Sequence, residues 1–269
     1  MCYFIERTQK CTKLFFNHYL KQIFMKRISI IIATCNAGKV LQRCLDSIRP
    51  QKAEEIELLI IDGKSKDNTV EIIQKNGDII DYYVSEPDRG IYDAWNKGIK
   101  ASSGEWIQFL GADDELLPNA VHTYLDFLQK KECRNFDIIS GKSFLVDENN
   151  NVLGTFGKKM LWKELRHNML ISHGSTLHNR NFINVNGNFS LQYKICADYE
   201  FFVRYGSKLK GTFINDFFLK FRVGGASDSI SAIKETFMIR YRCGSVSVIE
   251  NCFYALKGFM GFYYRKLIK

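Results

Sequence analysis

Through the first half of the chain, short apolar runs alternate with segments of helical spacing. Residues 28–33 (ISIIIA) and 57–61 (ELLII) are nearly continuous apolar runs of the kind that fill a buried strand. Residues 79–84 and 106–110 (WIQFL) read as a third and a fourth strand. Val40, Leu41, Cys44, Leu45 and Ile48 fall on one face of a helix between the first two strands. Val70, Ile72 and Ile73 do the same in a second helix, started by Asp67-Asn68-Thr69. Residues 91–100 and 117–130 predict a third and a fourth helix, with Pro118 near the first turn of the latter. Strands alternating with helices predict an α/β fold with a mostly parallel, doubly wound sheet. After Phe136 the pattern becomes α+β. Residues 137–146 read as a strand, 147–151 as a turn before another strand, and 160–168 and 197–205 as helices. A nucleotide-binding first half and an acceptor-binding second half follow, meeting near residue 135 and not folding independently.

The 269 residues are 46% hydrophobic, enough for one large α/β domain, and no repeat or Pro-rich linker divides them. The net charge of +9 sits at the ends: residues 1–27 and 234–269 together carry +10, leaving the body at −1. Nucleic-acid binding, which favours a basic stripe on the folded body, is therefore not expected. Basic ends rich in aromatic residues suit an anionic membrane surface better. The tail's Phe237, Tyr241, Phe253, Tyr254, Phe259, Phe262, Tyr263 and Tyr264, among Arg240, Arg242, Lys257, Arg265 and Lys266, predict an amphipathic helix, for such a surface or packed on the domain or in a dimer contact. No apolar run reaches the roughly 18 residues of a spanning helix, and charges interrupt any N-terminal signal core. The expected place is the cytoplasm, peripheral on the inner membrane face. None of the eight cysteines has CxxC spacing, so they read as buried thiols in a reducing compartment. Met25-Lys26-Arg27 leads directly into the first strand. Residues 1–24 are then either an upstream misreading of the start or an amphipathic helix with Phe15, Phe16, Tyr19 and Phe24 as its apolar members.

Ligands of open α/β sheets bind beyond the carboxyl ends of the strands, so the chemistry is sought there. Thr34 and Asn36 follow the first strand, as groups for a base or ribose or as helix caps. Asp62 and Gly63 end the second; Gly63-Lys64-Ser65 lacks the upstream glycine of a phosphate loop. No GxGxxG follows the first strand, which argues against a dinucleotide enzyme. Arg89 and Lys97, after the third strand, are either phosphate contacts or solvated charges. Gly111-Ala112-Asp113-Asp114-Glu115 follows the fourth strand, and adjacent acids there call for a hard divalent cation, Mg²⁺ or Mn²⁺. Helix-starting acids are the alternative, fair for Glu115 and weak for Asp113. Asp198 precedes an aromatic helix whose packing would raise its pKa, and it also suits the helix N-cap. His173 and His178 lack the spacing of a metal-binding HExxH helix.

These segments, in order, resemble family 2 glycosyltransferases of the GT-A fold over roughly residues 27–225: ISIIIATCNAG, ELLIIDGKSKDNT, SEPDRGIYDAWNKGIKASSGEWIQFLGADD, HGSTLHNR and ADYEFFVRYG. The central segment resembles the branch that builds bacterial exopolysaccharide, colanic acid and O-antigen chains. The resemblance implies that Thr34, Asn36 and Asp62 hold the nucleotide base and ribose, with Asp88, Asp93 and Ala112 completing the nucleotide-sugar site. It implies that Asp113 is the metal-binding acid of a DxD-type motif for Mn²⁺ or Mg²⁺ and that Asp198 is the general base, with Glu200 on the adjacent turn as the alternative. The segment around His173 reads as lining the acceptor site, with a satisfied structural histidine as the alternative. The reaction would invert the anomeric centre, with a UDP-sugar as the default donor, GDP and dTDP as alternatives, and a polyprenyl-diphosphate-linked glycan as acceptor. The domains would be an N-terminal extension at 1–26, a GT-A domain at 27–233 and a basic aromatic helical tail at 234–269. The family's first DxD acid is Gly111 here, and its usual Glu before the base is Ala197. Gly111 is the support for a second reading, a non-catalytic sugar-nucleotide-binding or scaffold subunit. A nucleotidyltransferase, the third, would need a Gly-rich basic N-terminal loop that Thr34-Cys35-Asn36-Ala37-Gly38 does not match.

Overall fold

The computed structural model describes residues 26–225 and 227–267. The alternatives for residues 1–24 lie outside the described residues. Four parallel strands form the heart of the sheet: β1 (Ile28–Thr34), β2 (Ile56–Asp62), β3 (Tyr82–Ser85) and β4 (Trp106–Gly111). Between them run helices α1 (Leu41–Ile48), α2 (Thr69–Lys75) and α3 (Ile91–Ala101). The short strand β5 (Glu115–Leu116) and α4 (Ala120–Leu128) lead to β6 (Ile138–Val146) and β7 (Val152–Phe156). The second half continues with α5 (Trp162–Leu165), β8 (Thr176–Asn179), α6 (Arg180–Asn186), α7 (Ala197–Val203) and β9 (Gly211–Arg222). Two helices, α8 (Ile230–Arg242) and α9 (Val248–Leu267), follow.

Among the described residues the strands join in one sheet of order β3-β2-β1-β4-β8-β6-β9-β5, with β7 paired to β6. Strand β8 is antiparallel to both β4 and β6, and so welds the parallel half to a mixed half. The apolar runs of β1 and β2 are continuous because each strand feeds two cores. Ile30, Ile32, Leu58 and Ile60 pack with α1 and α4 on one face. Ile31, Leu59 and Ile61 pack with α3, α6 and α7 on the other.

Several elements differ from the sequence reading. The third strand begins at Tyr82, because Ile79 is held in a turn by its N–H bond to Asn76 O (3.1 Å). The fourth helix begins at Ala120, because Glu115 and Leu116 pair with Lys220 and Leu219 of β9. Residues 160–168 form a single helical turn, α5. Strands β8 and β9, absent from the sequence reading, join the sheet's two halves and complete its mixed part. Helix α8 starts at Ile230, where Ser229 accepts the Ala232 N–H, so it runs across the expected boundary at 233/234. Of the cysteines, Cys44 and Cys133 are buried as expected, whereas Cys35 and Cys252 are exposed.

Candidate active site

The register of the parallel strands sets Thr34, Asp62 and Ser85 side by side at their carboxyl ends, with Ala33 beside Gly111. Asp62 is fully buried. Its Oδ1 accepts from Thr34 Oγ1 (2.9 Å) and Ser65 Oγ (2.5 Å), and its Oδ2 from Ser65 N–H (2.9 Å) and Ser85 Oγ (2.6 Å). Burial pushes the Asp62 pKa up, but the hydroxyls of Ser65 and Ser85, the Ser65 N–H and Thr34 outweigh it, and the net shift is downward. A carboxylate has about four acceptor positions, and four protein donors occupy them. Asp62 therefore buckles three strand ends together, where the sequence suggested an acceptor open to a nucleotide.

An acceptor open to ligand lies one step outward. Asp88, partly exposed, sits over Gly63: a Cβ added at Gly63 would lie 2.6 Å from Asp88 Oδ2. The missing side chain at Gly63 leaves room for the Asp88 carboxylate over the end of β2. Asn36, in the left-handed region at φ 51°, accepts the Lys66 N–H (2.9 Å) and donates its own N–H to Ser65 Oγ (2.7 Å). It ties the loops after β1 and β2 and does not cap α1, whose N-cap is Val40. Lys97 pairs with Glu86 (2.9 Å), and Arg89 with Asp93 (3.4 Å), so Asp93 fixes the turn entering α3. Ala112 packs partly buried against the core.

At the end of β4 the three acids take three different places. Glu115 is buried and neutralised by Arg43 (2.6 Å), Arg222 (3.3 Å) and Lys220 (3.6 Å), which makes it a structural anchor. Asp113 is exposed, and Asp114 is buried. Gly111 explains both: a Cβ there would lie 2.9 Å from Asp113 Oδ1 and 2.9 Å from Asp114 Oδ2. The two carboxylates thus converge over a residue with no side chain. Burial, and next the charge of Asp113, push the Asp114 pKa up to about 8. The Arg222 N–H, bonded to Asp114 Oδ1 (3.2 Å), and the Arg222 charge relieve this only in part, the guanidinium being bonded to Glu115, Asn150 and the main-chain oxygens of Asp113 and Asp147. Two converging acids, one of them held above its ordinary pKa despite Arg222, fit a hard divalent ion whose remaining ligands come from substrate phosphates. Among the described residues no group of three His, Cys, Asp or Glu side chains forms a complete cage.

Asp198 stands in the first turn of α7. Its Oδ1 accepts from the Tyr92 hydroxyl of α3 (3.1 Å), which also bonds Ile195 O (2.5 Å). Burial raises its pKa to about 6, against the lowering pull of the Tyr199 N–H, the Tyr92 hydroxyl and its own N–H. Packed rings connect this carboxyl to the acidic loop. Tyr92 meets Trp95 edge-on (5.4 Å between centroids), and Trp95 packs on His173 (4.9 Å). Next to His173, a Cβ on Gly174 would lie 3.6 Å from Asp114 Oδ2. His173 itself is stacked against Phe109 (5.5 Å), and burial drives its pKa well below the ordinary value. It is a neutral ring in the aromatic floor between the two acidic centres.

The family profile described as "Glycosyl transferase family 2" matches residues 29–185. The chain belongs to glycosyl transferase family 2. A PGL/p-HBAD biosynthesis glycosyltransferase of Mycobacterium bovis (strain BCG / Pasteur 1173P2) is 32% identical over 65% of this chain and 68% of its own length. A GalNAc(5)-diNAcBac-PP-undecaprenol beta-1,3-glucosyltransferase of Campylobacter jejuni is 31% identical over 52% of this chain and 45% of its own. Among solved structures, S. aureus TarS with UDP-GlcNAc superposes with a TM-score of 0.63 at 16% identity, over 79% of this chain and 66% of that one. Its fold confirms the expected GT-A architecture for this family 2 glycosyltransferase. Sequence reasoning missed two residues that the geometry brings to the candidate site: Asp114, screened by its neighbours in a run of acids, and Tyr92, read only as part of a helix. Ser85, the fourth donor to Asp62, was legible only as a turn residue.

Proposed function

We propose that this glycosyltransferase moves a sugar, with inversion, from a nucleoside-diphosphate donor to a hydroxyl of a growing, lipid-linked cell-surface glycan. The observation that carries the reading is the pairing of two acidic centres of opposite character on one aromatic floor: convergent carboxylates at Gly111, and a lone, partly buried Asp198 with its pKa raised to about 6. UDP is the favoured nucleotide, in line with TarS solved with UDP-GlcNAc; a mannosyltransferase of Pyrobaculum calidifontis with a similar fold (TM-score 0.60) was solved with GDP-Man and Mn²⁺.

Asp88, with Thr34, Asn36 and Asp93 shaping the loops around it, holds the base and ribose. Asp113 and Asp114, beside Ala112, would hold Mn²⁺ or Mg²⁺, which supplies neutralisation of the charge that grows on the leaving diphosphate. Asp198 takes the proton of the acceptor hydroxyl as its oxygen attacks the anomeric carbon, and the nucleoside diphosphate leaves from the opposite face. A pKa near 6 keeps Asp198 ionised at neutral pH while making it a stronger base than an ordinary aspartate. Tyr92 orients the carboxylate, and His173 shapes the acceptor side from below. Gly111 gives the two acids room to converge, which supports reading the lost DxD acid as compatible with an active transferase.

The test is a panel of UDP-, GDP- and dTDP-sugars, with Mn²⁺ or EDTA and a polyprenyl-diphosphate-linked acceptor. Nucleoside diphosphate released from one donor, only with acceptor and metal, is the expected result. Release of pyrophosphate from a nucleoside triphosphate instead would reassign the chain to nucleotidyl transfer.

An anionic membrane face fits the same reading. Ile249, Phe253, Leu256, Met260 and Tyr263 form an exposed stripe along α9, and Glu250, the one acid of that helix, is paired with Arg166. Beside the stripe, Ile233, Phe237, Met238, Ala255 and Phe259 line an apolar hollow of 440 Å³. Arg240 does not contribute charge to this face. It is buried, bonds Asn251 Oδ1 (2.8 Å) and His167 O (2.6 Å), and pins α8 to α9 and to the domain. Among the described residues no helix is long and apolar enough to cross a membrane. Co-sedimentation with phosphatidylglycerol vesicles, weakened at high salt and lost in Phe253→Ser/Leu256→Ser, is expected. Equal sedimentation of wild type and variant would end the membrane reading.

A further inference from the structure

The turn that delivers Asp198 has no cap of its own. Cys196 is the N-cap of α7, and its side chain makes no capping bond. The three amides that lead into the helix, 194–196, need an acceptor, and they find it about 40 residues downstream. Glu235, on α8, receives three main-chain bonds at 2.9 Å: from Lys194 N–H at Oε1, and from Ile195 N–H and Cys196 N–H at Oε2. From the other side, the Tyr92 hydroxyl holds both Ile195 O and the Asp198 carboxyl. The turn is gripped between α3 and α8, and Asp198 emerges two residues after the last of the three bonded amides.

We infer that Glu235 is a positioning residue for transfer: from α8 it caps the turn 194–196 and sets where the Asp198 carboxylate meets the acceptor hydroxyl. The inference rests on Asp198 being the base. It gives α8 a task inside the active site, although the sequence pattern placed most of that helix in an appended tail. Displacement of a catalytic group by about 1 Å costs on the order of 10²-fold in rate, so a cap of this kind has leverage on turnover without touching substrate.

The electrostatics supply a second readout. The titratable groups facing Asp198 are Tyr92 from α3, Cys196 in the turn and Glu235 from α8. Burial holds the Cys196 thiol up at about 12 and the Tyr92 phenol well above its ordinary value, so both stay neutral. Glu235 is the charged neighbour, and its charge disfavours the ionised form of Asp198. Removing that charge lowers the pKa of Asp198. Turnover requires the carboxylate, so the acid limb of the kcat profile then moves to lower pH.

The experiment compares Glu235→Gln and Glu235→Ala with wild type in the full chain. Glu235→Gln removes the charge and keeps one acceptor oxygen for the Ile195 and Cys196 N–H groups, while its NH2 faces the Lys194 N–H; it is expected to lose less than about tenfold in kcat at pH 8 while its acid limb moves down in pH. Glu235→Ala is expected to lose about 10- to 100-fold in kcat, with affinity for UDP and Mn²⁺ unchanged by calorimetry. In Glu235→Ala, hydrogen exchange at the amides of 194–196 should accelerate while the β1–β4 amides stay protected. Wild-type kcat and pH profile in both variants would overturn the inference, as would a parallel loss of UDP affinity, which marks general damage. Asp198→Asn is run alongside. If that variant kept turnover, the base assignment would fall, and the exchange of the three amides would still decide whether Glu235 holds the turn.

Discussion

Replacing Asp198 by asparagine is expected to lower kcat by about 10²–10⁴-fold, the usual range for loss of a general base, while leaving UDP affinity within about twofold. The substitution keeps the shape of the side chain and leaves Tyr92 an acceptor oxygen at the same place. What it removes is the capacity to take a proton. Wild-type kcat should fall tenfold per pH unit below about pH 6, because burial sets the Asp198 pKa there and the protonated acid cannot serve as base. In Asp198→Asn that limb should disappear from whatever turnover remains. A variant that transfers sugar at the wild-type rate, or a wild-type profile flat down to pH 4, would remove Asp198 from the mechanism.

Asp113→Asn should cost about 10²–10³-fold in metal-stimulated turnover and leave the melting temperature within about 1 °C. Both expectations come from its position. Asp113 is exposed and anchors nothing, yet its Oδ1 points to the place over Gly111 where Asp114 Oδ2 also points. Calorimetric titration of UDP with and without Mn²⁺ provides the check. In the wild type the metal should tighten UDP binding, and in Asp113→Asn most of that gain should vanish. Full Mn²⁺ stimulation in the variant would mean that the carboxylates over Gly111 have another purpose. Glu115, two residues on, serves as the contrast: three cations surround it, so it belongs to stability and not to the metal.

The parallel heart of the fold was legible because β1, β2 and β4 are buried on both faces and tolerate little but apolar residues. The 12-residue β9 was not, because Asn215 and Asp216 lie exposed at its middle and only its later part is fully buried. Strand β8 hid for the opposite reason: Thr176 and His178 look polar in sequence, but both are buried, and His178 Nδ1 meets Ile107 O at 3.2 Å. Strand β5, two residues long, exists only because β9 is there to pair with it.

The candidate site divides along the same line. Local sequence sufficed for the acids at strand ends, because the ends of parallel strands are where such a sheet exposes loops and binds ligands. Asp113 became a candidate on that ground, whereas Asp198, in the first turn of a helix, became one through the resemblance of the ordered segments. Whether an acid is free, spent or shared depends on neighbours brought together by folding. Asp62 is saturated by residues 28, 3 and 23 positions away, Asp114 meets Asp113 over a missing side chain, and Glu235 reaches back some 40 residues to cap the turn before Asp198. Periodicity in the chain specifies which faces are buried, since burial of apolar surface depends on composition along each element. Partnership among charged groups depends on distances of a few ångströms between elements far apart in sequence, and only the packed tertiary structure sets those.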